Sequence, residues 1–80
     1  MSSASVGERV SSIGNNAFYA CDYLLTFYSY ATTPPSLGTN VFYGDNGYTI
    51  GTEIFVPQAS LNAYMEATNW RSYASYMVGF

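Results

Sequence analysis

Histidine and lysine are both missing from this chain of 80 residues, which also contains only one cysteine and two arginines. Their absence excludes a Ser-His-Asp or Cys-His catalytic site and a lysine nucleophile. The single Cys21 cannot form an internal disulfide, and zinc sites need clusters of Cys and His. We therefore predict that the protein is not an enzyme and has no catalytic, cofactor-binding or metal-binding residues.

Charge is scarce as well. Charged residues make up 9% of the sequence and the net charge is −3, whereas ordinary globular domains contain about 25% charged residues. The five carboxylates are scattered, so local spacing pairs none of them for acid–base chemistry. A negatively charged chain with so few cations has no electrostatic basis for binding nucleic acid or an anionic membrane surface. Uncharged polar residues must supply most of the polar surface, which favours self-association.

Signals for a membrane span, a signal peptide and a calcium loop are weak. The longest apolar-looking run, Ala17 to Ala31, contains polar residues and is too short to span a bilayer. The first residues have neither the basic start nor the apolar segment of a signal peptide, so none is expected. Asp45-Asn46-Gly47 lacks the alternating ligands and closing glutamate of a calcium loop, and we interpret it as a turn.

The strongest positive feature is an eight-residue motif that occurs twice. Motif 1, Ser-Ile-Gly-Asn-Asn-Ala-Phe-Tyr, spans 12–19, and motif 2, Ser-Leu-Gly-Thr-Asn-Val-Phe-Tyr, spans 36–43. Five of the eight positions are identical, and the offset is 24 residues. Repetition with a period of about 20–30 residues is typical of a solenoid, and the leucine-rich-repeat type is the natural class at this period.

The repeat phase predicts three short strands, at about 2–6, 24–30 and 52–56. Proline cannot donate to a β ladder, and Thr32-Thr33-Pro34-Pro35 and Pro57 would end the second and third strands. A helix over 17–30 is the competing interpretation, because several of its apolar residues also fit a period of about 3.6 residues. The repeat phase favours the strand. Residues 16–21 are expected to form one helical or 3₁₀ turn that buries Ala17, Phe18 and Cys21.

The periodicity changes after Pro57. Apolar residues recur at helical spacing, first around Tyr64 and then around Trp70, with Ser60 as a candidate N-cap. We predict a C-terminal helical cap over about 59–77 that covers the last hydrophobic layer. The chain is then a single domain, with two to three repeats in 1–57 and the capping unit in 58–80. The predicted core consists of Ile13, Phe18, Cys21, Leu24, Phe27, Leu37, Phe42, Ile54, Val56, Tyr64 and Trp70.

Exposed tyrosines are the best candidates for a binding surface. Alternation in the second strand turns Phe27 inward and Tyr28 and Tyr30 outward, and Tyr48 is a further candidate. Tyrosine among neutral polar residues is typical of surfaces that bind protein or glycan. In the alternative interpretation these tyrosines only cover neighbouring aromatic surface. Trp70 is expected to pack in the cap and not to form a sugar platform.

The N-terminal strand raises a different question. As the first strand of its sheet it would expose unpaired backbone groups over a thin apolar layer. We therefore expect another chain to cover this edge, most simply in a symmetric homodimer.

Two stretches resemble the BspA-like leucine-rich repeats. Residues 12–24, SIGNNAFYACDYL, are similar to the repeating unit of that family. Residues 54–79, IFVPQASLNAYMEATNWRSYASYMVG, are similar to its C-terminal unit, with a Val-Pro turn, a tyrosine-bearing helix and an Asn-Trp step. The resemblance covers nearly the whole chain. It implies an α/β solenoid of the leucine-rich-repeat type, with short parallel strands on one face and short helical turns on the other.

For function, the resemblance implies a surface or secreted protein of bacteria or protozoa that acts in adhesion or protein binding, without catalytic residues. Our first hypothesis is a non-enzymatic interaction or structural module, the capped end of such a solenoid, which self-associates through its N-terminal edge. The alternatives are a carbohydrate-binding or host-adhesion fragment that uses the exposed tyrosines, and a structural component of a larger particle.

Overall fold

A computed structural model describes residues 3–21, 23–44 and 50–80. Its elements, in chain order, are β1 (Ser3–Val6), β2 (Ser12–Ile13), β3 (Thr26–Ser29), β4 (Ser36–Leu37), β5 (Glu53–Val56), a 3₁₀ turn (Gln58–Ser60) that leads into α1 (Leu61–Glu66), a second 3₁₀ helix (Trp70–Tyr76) and β6 (Met77–Gly79). The protein is thus a small α/β domain with a parallel sheet and two short helices.

The main sheet has four parallel strands in the order β1-β3-β5-β6. Its register aligns Ala4 with Phe27, Phe27 with Ile54, and Ile54 with Met77. Because side chains alternate along a strand, these residues share the inner face. The predicted phase is confirmed, although β3 and β5 are shorter than the predicted strands. Leu24 and Tyr30 flank β3 and are not part of it.

A second, two-stranded sheet joins the two copies of the motif. Strands β2 and β4 pair in parallel, with Ser12 opposite Ser36 and Ile13 opposite Leu37. The offset of 24 residues in the sequence is therefore also the pairing offset in space. We call β2 and β4, together with the turns that follow them through Asn16 and Asn40, the strand–turn column.

The helical turn predicted over 16–21 is wrong. The segment forms successive turns, and Ala17 is exposed while Phe18 and Cys21 are half-buried. Asn16 and Ala20 have positive φ angles of 59° and 63°, which a right-handed helical turn does not allow. Asn40 of motif 2 has a φ of 56°, so the turn conformation recurs together with the sequence.

The predicted cap was too long at its C-terminal end. Met77 belongs to β6, a fourth strand that pairs with β5 and that we did not predict from the sequence. The amide of Phe80 donates to the carbonyl of Val56, and the amide of Gln58 donates to the carbonyl of Phe80. A Cβ on Gly79 would lie 2.7 Å from Cδ of Gln58, so a glycine permits this close approach.

The hydrophobic core lies between the inner face of the main sheet, the strand–turn column and the two helices. Nine of the eleven residues predicted for the core are buried, while Phe18 and Cys21 are half-buried against them. Aromatic rings dominate: Phe27 meets Phe42 edge-on at 5.1 Å, and Tyr64 meets Trp70 edge-on at 5.0 Å between centroids. The buried hydrophobic residues missing from the predicted core are Ala31, Val41 and Tyr73.

Candidate interaction surfaces

The strand–turn column is held together by hydrogen bonds between its two units. The amides of Ser36 and Gly38 in the second unit donate to the carbonyls of Ser11 and Ile13 in the first, at 2.9 and 2.8 Å. The amide of Thr39 donates to Oδ1 of Asn15 at 2.9 Å. The amide of Asn16 in the first unit donates in turn to the carbonyl of Thr39 at 3.0 Å, so each unit supplies both donors and acceptors.

The C-terminal unit closes the far end of this column with side-chain donors. Pro35 and Leu37 lie 24 residues after Ser11 and Ile13, and their carbonyls face the cap. Nε1 of Trp70 donates to the Pro35 carbonyl, and Nδ2 of Asn69 donates to the Leu37 carbonyl, both at 2.7 Å. An indole and an amide thus replace the two backbone N–H groups that a following unit would provide.

The same helices also satisfy the carbonyls just before motif 2. The hydroxyl of Tyr64 donates to the carbonyl of Ala31, and Ser60 Oγ donates to the carbonyl of Thr32 at 2.6 Å. Because the only hydroxyl proton of Tyr64 is used in this way, Ser29 Oγ donates to the Tyr64 oxygen at 2.7 Å. Burial raises the pKa of Tyr64 above its ordinary value of 10, although the bond with Ser29 opposes the shift.

The N-terminal end of the molecule is formed by β1, the edge strand of the main sheet. Within the described residues, β1 pairs only with β3. The carbonyl of Val6 accepts the amide of Tyr30, so the alternation of a parallel ladder turns the backbone groups of Ser3 and Ser5 toward the open edge. Beneath them the inward side chains are the small, half-buried Ala4 and Val6. This edge exposes hydrogen-bonding groups over a thin apolar layer, as the sequence predicted.

The outer face of the main sheet carries a row of aromatic side chains, Tyr28, Tyr30, Phe55 and Phe80, which we call the aromatic face. Tyr28 stacks on Phe55 at 4.6 Å between centroids and lies 6.2 Å from the nearly parallel ring of Tyr30. Phe80 meets both tyrosines edge-on, at 5.7 and 5.4 Å. Tyr30 and Phe80 are 47% and 50% exposed.

This arrangement separates the three predicted binding residues. Tyr28 is half-buried and has one ring face against Phe55, so it mainly covers its neighbours. Tyr30 remains available for contact at the end of the row. Tyr48 lies outside the described residues. Phe80 joins the surface through β6, and only recognition of that fourth strand could have revealed it.

Two further residues considered from the sequence pack in the core or against it. Trp70 is fully buried and hydrogen-bonded through its indole, so no ring face is free to bind a sugar. Cys21 is half-buried, has a free thiol and packs against the core cluster.

A small polar cavity of about 130 Å³ lies where motif 2 meets the C-terminal unit. The phenolic oxygen of Tyr73 accepts the amide of Phe42 at 3.4 Å, and burial raises the pKa of this tyrosine above 10. The cavity is lined by Gly38, Thr39, Asn40, Tyr43, Asn69, Ser72 and Tyr73.

The described part of the chain contains no group of three or more His, Cys, Asp or Glu side chains placed to hold a metal ion. It also contains no helix that is both long and apolar enough to cross a membrane. No protein-family model matches the chain, and no curated protein or solved structure is significantly similar to it.

Proposed function

We propose that this chain is a non-enzymatic interaction or structural module, the capped end of a BspA-like leucine-rich-repeat solenoid. Its N-terminal edge associates with another polypeptide, in the simplest case a second copy of the chain. The observation that carries the proposal is the unequal treatment of the two ends. Side-chain donors from the C-terminal unit satisfy the carbonyls of Pro35 and Leu37, whereas β1, among the described residues, leaves backbone groups at an open edge.

The composition supports association at this edge. Unpaired strand edges recruit further strands unless charge, proline or a covering element blocks them. Strand β1, Ser-Ala-Ser-Val, has no charged residue and no proline. The net charge of −3 on 80 residues also gives little repulsion between copies.

The experiment is a measurement of molar mass in solution, by size exclusion with light scattering, over a hundredfold dilution. We expect an oligomer that dissociates on dilution. Proline at Ser5 removes an amide that faces the open edge and leaves the ladder to β3 intact, so Ser5→Pro should abolish association. Ser5→Ala, which keeps the amide, should associate like the unchanged chain.

A folded monomer at every concentration would contradict self-association. An oligomer equally stable in Ser5→Pro would place the interface elsewhere. Circular dichroism of both variants checks that they are folded, so that loss of the oligomer is not loss of the domain.

Exposure of Tyr30 and Phe80 favours a second candidate, a host-adhesion or carbohydrate-binding surface on the aromatic face. Here the ligand would contact the two half-exposed rings, with Tyr28 and Phe55 as support beneath. Binding to a glycan array that is lost in Tyr30→Ala and kept in Tyr30→Phe would support this function. Absence of binding to any glycan at millimolar concentration would remove it.

A further inference from the structure

Two equivalent glycines of the strand–turn column have opposite surroundings. A Cβ on Gly38 would lie 2.5 Å from the backbone nitrogen of Asn15 and 2.7 Å from its Cα. These are backbone atoms that cannot move aside, so the close approach of the first unit requires glycine at position 38. Gly14 holds the same place in motif 1, and a Cβ there would meet nothing within 4 Å.

The amides beside Gly14 repeat the donor pattern of motif 2. Ser36, Gly38 and Thr39 donate to the first unit, and their counterparts 24 residues earlier are Ser12, Gly14 and Asn15. The parallel ladder directs the amides of Ser12 and Gly14 away from β4. In the described ranges, neither the Gly14 amide nor the Asn15 amide has an acceptor. The amides of Ser12, Gly14 and Asn15 are thus three hydrogen-bond donors beside the empty space next to Gly14.

A second copy of this chain does not offer the matching acceptors. The carbonyls it would have to present from its own second unit are those of Pro35 and Leu37, which Trp70 and Asn69 already occupy. A symmetric dimer would instead place the two β1 edges antiparallel. The space beside Gly14 fits a parallel segment that ends in a turn carrying a side-chain carbonyl, as Asn15 does for Thr39.

We propose that the open side of motif 1, at the edge of β2 that faces away from β4, is a docking site for a further strand–turn segment. This segment lies parallel to β2 and carries asparagine at the position of Asn15. Its two backbone carbonyls accept the amides of Ser12 and Gly14, and its asparagine Oδ1 accepts the amide of Asn15. The proposal rests on the proposed interaction function and makes the partner at the N-terminal end more specific.

The test uses the complete chain and an extended chain in which residues 7–29 are duplicated, so that 1–29 are followed by 7–80. In the extended chain an added copy of motif 1 precedes the original motif 1 and is expected to cover its open side. Urea unfolding of both chains, with alanine at one glycine at a time, gives the change in the folding equilibrium constant.

In the complete chain, Gly38→Ala should lower the folding equilibrium constant at least thirtyfold, on the order of 2 kcal/mol or more for overpacking, and Gly14→Ala should change it less than about threefold. In the extended chain, alanine at the covered Gly14 should lower the constant about as much as Gly38→Ala does. The glycine of the added copy, now at the open end, should tolerate alanine.

Amide hydrogen exchange provides a second readout that needs no substitution. The amides of Gly14 and Asn15 should exchange rapidly in the complete chain and at least tenfold more slowly, at the covered copy, in the extended chain. Asn15→Ala in the added copy should remove the protection of the Asn15 amide and keep that of Gly14.

An extended chain in which the covered Gly14 tolerates alanine and its amide stays unprotected would overturn the proposal. If the complete chain nevertheless formed an oligomer sensitive to Ser5→Pro, the proposed function would stand and only the parallel docking would fail. A monomeric chain whose extended form shows the protection would support docking and contradict self-association.

Discussion

The two ends of the strand–turn column meet the same physical requirement in opposite ways. Backbone hydrogen-bonding groups at the end of a stack need partners once they are removed from water. At the C-terminal end, Trp70 and Asn69 donate to the carbonyls of Pro35 and Leu37. At the N-terminal end, the amides of Gly14 and Asn15 in motif 1 have no acceptor among the described residues. The carbonyls at the closed end are therefore satisfied within the chain, and the open end is the one at which we propose association.

The hydrophobic layers differ in the same direction. Phe27 and Ile54, in the middle of the main sheet, are fully buried, and the rings of Phe42, Tyr64 and Trp70 are packed beneath and beyond them. At the N-terminal end, Ala4 and Val6 are half-buried and small. Since burial of apolar area contributes about 25 cal/mol per Å², we expect most of the stability to come from the C-terminal half.

The largest effect should follow from Trp70→Phe. This change removes the indole donor to Pro35 and part of a fully buried side chain, which should reduce the free energy of unfolding by about 2–4 kcal/mol. Val6→Ala at the open end should cost about 1 kcal/mol or less. Urea unfolding measures both, and an equal cost at the two ends would contradict the comparison.

Tyr64→Phe tests the buried network that joins β3 to α1. It leaves the Ala31 carbonyl without a donor and the Ser29 hydroxyl without its acceptor, which should cost about 1–3 kcal/mol. Tyr30→Phe, at an exposed site, is the matched control and should cost less than about 0.5 kcal/mol. Similar losses from the two changes would mean that the Tyr64 hydroxyl contributes no specific stability.

The raised pKa of Tyr64 also predicts a dependence on pH. Because the neutral phenol is favoured in the folded state, the stability linked to it is fully present below pH 10, the pKa of an ordinary tyrosine. It should be lost as the pH rises through the higher folded pKa. Thermal unfolding from pH 8 to 11 should therefore show a smaller decline in Tyr64→Phe than in the unchanged chain. Equal declines would contradict the assignment.

A smaller effect is expected from Asn69→Gly. Asn69 has a φ of 67°, which glycine adopts freely, so the change removes the donor to Leu37 without straining the backbone. We expect a loss of about 1 kcal/mol in the free energy of unfolding. Asn40→Gly is the control, because Asn40 also has a positive φ but is exposed. If both changes lower the free energy of unfolding equally, the hydrogen bond from the Asn69 side chain to the Leu37 carbonyl does not stabilise this end of the column.

The aromatic face should contribute least. Tyr30→Ala removes a half-exposed ring that contacts Tyr28 and Phe80, and it should lower the free energy of unfolding by less than about 1 kcal/mol. Chemical denaturation checks this value. A larger loss would show that the row supports the sheet and is not free for a ligand.

Parts of this structure were predictable because they depend on repetition and alternation. Motif 1 and motif 2 pair at their sequence offset, and the alternation in β3 turns Phe27 inward and Tyr30 outward. Strand β6 was missed because Met77 continues the helical spacing of Trp70 and Tyr73, and a three-residue strand has too few positions to show a period of two. Tyr73 was left out of the predicted core because its burial depends on how the second 3₁₀ helix docks against Phe42.

The amino-acid sequence by itself determined the repeat phase, the inward residues of the strands and the absence of histidine- or lysine-based chemistry, since these follow from residue type and local spacing. Only the tertiary structure decided how each end of the column is finished. Trp70 and Pro35 are brought together by a contact across 35 positions of the chain. Such a contact depends on the docking of whole elements and leaves no periodic pattern in the sequence.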